Sequence, residues 1–137
     1  MRMFWSMRLT RTRHSMKPHA LCSKPAEARP RQTLYVTPQI LCEFYAIVTN
    51  ARRVKEPRTS ADGLAALSGM LGFLRVLPVP GGVIDEVMAL LRRRPVTGGE
   101  VFDLRIIATM KLNGIDRIYT FNTDDFKPFA EIEALAP

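Results

Sequence analysis

From Thr33 onward the chain alternates short strand-like runs with longer helical ones, and this alternation constrains the fold more than any other feature. "TLYV" reads as a strand and "TPQILCEFYAIVTN" as a helix, with Thr37 placed to cap it. Pro38 suits the first helical turn, where no amide hydrogen is needed, and Leu41, Phe44 and Val48 supply an apolar face. A basic loop, "ARRVKEPRTS", leads into the helical stretch "SADGLAALSGMLGFL", for which Ser60 is the expected cap. "RVLPVP" reads as a strand, and "GVIDEVMALLRRR" as a helix stopped by Pro95. In "TGGEVFDLRIIATMKLNG", Phe102, Ile106 and Met110 recur at helical spacing, with Asn113-Gly114 as the C-terminal stop. The last expected strand is "DRIYTFN". Strands separated by helices predict an α/β domain with a central parallel sheet flanked by helices.

A chain of 137 residues, 47% of them hydrophobic, is large enough for one domain with a real core. The formal charge of +7 suggests an acidic partner, but all of it resides in residues 1–32, where eight Lys/Arg face the single acid Glu27. Residues 33–137 are electrically balanced. A compositional break therefore falls near residue 32, separating an anomalous basic segment, 1–32, from the α/β domain, 33–137. The acid-free, Arg-rich start also resembles an organelle transit peptide in composition. No run approaches the ~20 apolar residues needed to span a bilayer, so no membrane association is expected. Cys22 and Cys42 lack metal-type spacing, and a reduced cytoplasm is the expected compartment.

Three groups of acids sit beside apolar sequence. Glu43 lies between Ile40 and Ile47 on one flank of a helix, which suits either a carboxylate at the rim of the apolar stripe or a functional group. Asp103 stands in the first turn of its helix, where the exposed amides favour a carboxylate whatever else it does. "NTDD", Asn122 to Asp125, comes after a strand at its C-terminal end, the edge where ligands bind in open parallel sheets, although a polar turn would read the same way. Gathered at one sheet edge, these carboxylates would repel one another unless a cation neutralised them. Oxygen donors suit a hard divalent ion, Mg²⁺ or Mn²⁺, which can activate water against a phosphodiester.

The stretches "LYVTPQILCEFYAIVTNARRV", "GGEVFDLRIIATMKLNGIDRIYTFNTDDF" and "IEALAP" resemble the PIN-domain family, in particular the VapC-like toxins of bacterial type II toxin–antitoxin systems. The resemblance covers about residues 33–137. A helix-borne Glu, a helix-start Asp and a "T-x-N-x-x-D-F" stretch occur in the family's order. It implies a three-layer PIN-like fold and a Mg²⁺- or Mn²⁺-dependent endoribonuclease cleaving RNA, silenced by a cognate antitoxin protein and often a homodimer. By the same resemblance Glu43, Asp103 and Asp125 would hold the metal. Asn122, where many members carry Asp, would be a neutral ligand or water-orienting group, Thr120 would support the site by hydrogen bonding, and Asp124 would be solvated.

One departure is large. The family opens with a central strand ending in an Asp that ligates the metal, whereas this chain opens "MRMFWSMRLTRTRHSMKPHA" and has no Asp before Asp62. "MRMFW" has strand character, and Ser6 stands near the position of the expected acid. Trp and Met have single codons, so a frame displaced by one nucleotide is tightly constrained around them. Joining the last base of each codon to the first two of the next, Phe4–Trp5 must give Leu, while the next three junctions permit Val, Asp and Ala. The same shift over Ser15 to Glu27 permits "HEAARALLEAR", an amphipathic helix, although Arg8–Leu9 cannot give the expected Asn. Residues from about Trp5 to about Arg31 are thus expected to be an out-of-frame rendering of the family's first strand and helix. The sheet would then lack its central strand. The alternative to an active ribonuclease is an inactive remnant, or a binding protein keeping the fold without a competent site.

Other constellations carry less. His14, His19 and Cys22 match no common metal spacing. Arg92 to Arg94 end a helix, where cations suit the dipole, and with Arg52, Arg53, Lys55 and Arg58 could also hold RNA phosphates. No Ser/His/Asp triad is available, since both histidines lie in the anomalous segment.

Overall fold

The computed structural model describes residues 2–5 and 33–137. Its elements run β1 (Arg2–Trp5), β2 (Thr33–Val36), α1 (Pro38–Val48), α2 (Ser60–Leu71), β3 (Leu74–Val76), α3 (Val83–Arg93), α4 (Val101–Leu112), β4 (Arg117–Tyr119) and β5 (Glu133–Leu135). Short 3₁₀ turns occupy Gly98–Glu100 and Thr123–Asp125. The five strands form one sheet in the order β3-β2-β1-β4-β5, and every adjacent pair is parallel. Helices flank this sheet, α1 packing with α2 and α3 with α4.

The sheet keeps its central strand, contrary to the expectation that it would be lacking. Arg2–Trp5 lies between β2 and β4, with Phe4 opposite both Tyr35 and Ile118. Ladder bonds come from the backbone and ask only for extended residues, so the β-prone Met-Phe-Trp run can provide them. Ser6, His14, His19 and Cys22, and with them the proposed out-of-frame stretch beyond Trp5, lie outside the described residues.

Several boundaries depart from the sequence reading, each for a local reason. The cap of α2 is Thr59, whose hydroxyl accepts the Asp62 N–H at 3.1 Å, while Ser60 is the first helical residue and pairs its hydroxyl with that of Tyr45 at 2.7 Å. β3 ends at Val76, before the two prolines that cannot donate to a ladder, although Leu77 N–H still reaches Val36 C=O at 2.8 Å. α1 is capped by Thr37 as expected, through the Ile40 N–H. Ile40 is the α1 residue that enters the core, while Leu41, Phe44 and Val48 are only half-buried. β5 is an additional strand of three residues, too short to leave a periodic signal.

The core gathers Val36, Ile40, Leu90, Leu104, Ile107, Met110, Ile118 and Phe126. Burying a side chain of this size stabilises the fold by about 1.5–3 kcal/mol relative to exposure. α4 is covered on most of its circumference, from Leu104 through Met110, whereas Phe102, expected on its apolar stripe, is exposed. Buried Thr109 returns its hydroxyl to the Arg105 carbonyl at 2.8 Å, which satisfies it inside the helix. The helix stops at Asn113, and Gly114 turns the chain with φ +66°, a conformation that favours glycine. Among the described residues, no helix is long and apolar enough to cross a membrane.

Candidate active site

The strand order β3-β2-β1-β4-β5 reverses direction between β1 and β4, which makes the crevice beyond their C-terminal ends the favoured ligand position in a parallel sheet. β1 ends at Trp5, in register with Tyr119 at the end of β4. The segment Thr120 to Asp125, directly after β4, is therefore delivered to this crevice. Thr120 is fully buried, its N–H donating to Leu135 C=O at 2.9 Å. Its hydroxyl accepts the Asn122 N–H at 3.1 Å, which folds the chain back into the 3₁₀ turn Thr123–Asp125.

Asp103 arrives from the other side. The 3₁₀ turn at Gly98–Glu100, where Gly98 has φ +59°, leads into α4 and sets Asp103 in its first turn, 9% exposed. The positive end of the α4 dipole favours its carboxylate. Asp103 and Asp125 line the same concavity, about 210 Å³, together with Glu100, Asp124, Arg94 and Phe129. Asp124 points largely to solvent, its side chain 82% exposed and ion-paired with Lys127 at 2.5 Å.

Glu43 is not part of that lining. It sits half-buried on α1, where its carboxylate accepts the Gln39 side-chain amide at 2.8 Å. Among the described residues, no three His, Cys, Asp or Glu side chains converge closely enough to hold a metal ion. Two of the three acids expected to bind metal thus share one concavity, and Glu43 lies apart. Asn122 borders the site through its backbone, at the entry to the turn that carries Asp125.

The donor chemistry of Asp103 and Asp125 is that of a hard divalent cation, oxygen only. Four carboxylates on one wall, even with Asp124 paired to Lys127, repel one another and any anionic ligand unless cations balance them. The cation on this wall is Arg94, which the sequence offers only as one of the run Arg92 to Arg94, either a solvated helix end or a holder of phosphates. It comes directly after the last residue of α3, its backbone N–H bonded to Leu90 C=O at 2.8 Å, and its guanidinium lies over the Phe129 ring, 5.9 Å from the centroid. What sets it apart from Arg92 and Arg93 in the sequence is its position just before Pro95, where the chain must leave the helix toward α4.

The PIN domain family matches residues 13–133 of the chain. No curated protein matches it significantly. Among solved structures, the crystal structure of Mycobacterium tuberculosis VapC20, a sarcin-ricin loop cleaving toxin, is similar with a TM-score of 0.51 at 18% identity, over 71% of each chain. At that identity the likeness is one of fold.

Proposed function

The chain belongs to the PIN domain family, and from that premise we propose that it is a divalent-metal-dependent endoribonuclease of the toxin–antitoxin kind. The observation that carries this reading is the pairing of Asp103 and Asp125 on one concavity at the point where the strand order reverses. Mg²⁺ or Mn²⁺, when bound, would supply an activated water and stabilise charge on the phosphodiester. Asp103 and Asp125 would hold it and Asn122 would orient the attacking water, while Glu43, the third acid that the resemblance implies, lies apart on α1, bonded to Gln39. Thr120 keeps the Asn122–Asp125 turn in place. The fold neighbour acts on the sarcin-ricin loop, which makes structured RNA the substrate class proposed here. A cognate antitoxin, a homodimer and a cytoplasmic setting belong to the same proposal.

One observation favours a second reading, an inactive remnant. Ser6 comes directly after β1, where the family's first acid is expected, and fewer oxygen ligands and less negative charge would weaken metal affinity. The test is RNA cleavage in Mn²⁺ by this chain and by a version carrying the displaced-frame reading of residues 5–31. Greater cleavage by the restored version is expected. Equal activity would refute the defect at the N-terminus, and no activity in either would refute the ribonuclease reading.

A further inference from the structure

We propose that Arg94 is the phosphate-holding residue of this site, binding a backbone phosphate of the RNA beside Asp103 and Asp125; the inference rests on the ribonuclease reading. Of the three arginines that end α3 or succeed it, Arg93 is drawn toward Glu86 and Glu131, at 3.9 and 4.0 Å. Arg92 is exposed and lines neither this concavity nor the adjoining one, about 310 Å³, bordered by Leu90, Arg93, Phe129 and Glu131. Arg94 lines both, and among the described residues it is the only cationic side chain on the wall shared with Asp103 and Asp125.

Its charge is not neutralised by those acids. Among the described residues Arg94 makes no ion pair, and its side-chain interaction is with the face of Phe129. Phe129 is itself 7% exposed and anchored in the core, so the ring is a fixed platform. A cation–π contact with a fixed ring holds the guanidinium near this wall without using its N–H donors, and those donors match two oxygens of a phosphate. The backbone reinforces this position. Arg94 has left the helical conformation, with φ −140° and ψ 90°, and Pro95 comes next, so the side chain emerges from a constrained bend. Where carboxylates dominate, a cation with unpaired donors is suited to an anionic ligand that arrives with its own neutralising ion.

The competing role is charge balance, with Arg94 only softening the repulsion among the acids. The two roles differ in what they move. The test measures binding of a fluorescent 2′-O-methyl RNA oligonucleotide, which resists hydrolysis, by anisotropy in Mn²⁺ over a range of salt, alongside Mn²⁺ affinity. For Arg94→Ala a rise of about tenfold or more in the Kd for RNA is expected, with the salt slope shallower by about 0.7. Arg94→Lys should lie between, because an ammonium keeps the charge without the fork. Arg75→Ala, which removes an exposed arginine on β3, should bind as the parent does. If Arg94→Ala does not fold, Arg94→Lys still decides the matter by its affinity relative to the parent. Unchanged RNA binding with tighter Mn²⁺ binding in the Arg94 variants would overturn the proposal and leave the ribonuclease reading standing. A parent chain that does not bind the oligonucleotide would overturn both.

Discussion

The Thr120 hydroxyl accepts the backbone N–H of Asn122 at 3.1 Å, just where β4 gives way to the turn bearing Asp125. This bond ties the edge of the sheet to a candidate metal ligand. Thr120→Val keeps the shape and deletes the acceptor, so it should cost about 1–2 kcal/mol and loosen the turn. Thermal unfolding should show a Tm several degrees lower, with a larger proportional loss in Mn²⁺ affinity. An unchanged Tm and affinity would mean that the bond supports nothing.

α1 and α2 meet at Gly63, where an added Cβ would lie 2.8 Å from Tyr45 Cε2 and 3.0 Å from Thr49 Cγ2. Gly69, on the same helix, has nothing within 4 Å. Gly69→Ala should therefore stabilise the chain by about 0.5–1 kcal/mol through helix propensity alone. Gly63→Ala gains the same propensity but must displace Tyr45, and the net effect should be a loss of about 1–2 kcal/mol. Denaturant midpoints that moved in the same direction for both variants would contradict this packing.

The legibility of the site in the sequence depends on whether each signal is local. Asp103 declares itself by its place in a helix start, and Asn122 to Asp125 by an apolar strand ending in polar residues; the structure puts Asp103 and Asp125 on one concavity. In sequence Arg94 cannot be told from Arg92 and Arg93, all three reading as a solvated helix end or as phosphate holders, because its ring contact with Phe129 joins distant parts of the chain. The cap of α2 differs by one residue for a similar reason. Thr59 and Ser60 are both good caps, and the tertiary pairing of Ser60 with Tyr45 distinguishes their roles. β1 is the hardest element to foresee, since its place in the sheet is secured by backbone pairing to β2 and β4.

Lys111 on α4 pairs with Glu86 on α3 and lies 3.7 Å from Glu131, and Arg93 approaches the same two acids. The four groups link α3, α4 and the segment before β5 into one network. These side chains are partly solvated, so Lys111→Met should cost only about 1 kcal/mol in dilute buffer. The loss should shrink as salt is raised, because screening weakens the network in the parent chain. A salt-independent loss would assign the effect to the packing of the lysine stem.

The sharpest measurement is cleavage of an end-labelled structured RNA in Mn²⁺ and in EDTA, by the parent chain with its displaced-frame residues restored and by its Asp103→Asn and Asp125→Asn variants. Cleavage that requires Mn²⁺ and falls by about a hundredfold or more in each variant, about 2.7 kcal/mol in barrier height, is the expected result. Cleavage that persists in EDTA, or that survives loss of either aspartate, would contradict a metal-dependent site built on Asp103 and Asp125.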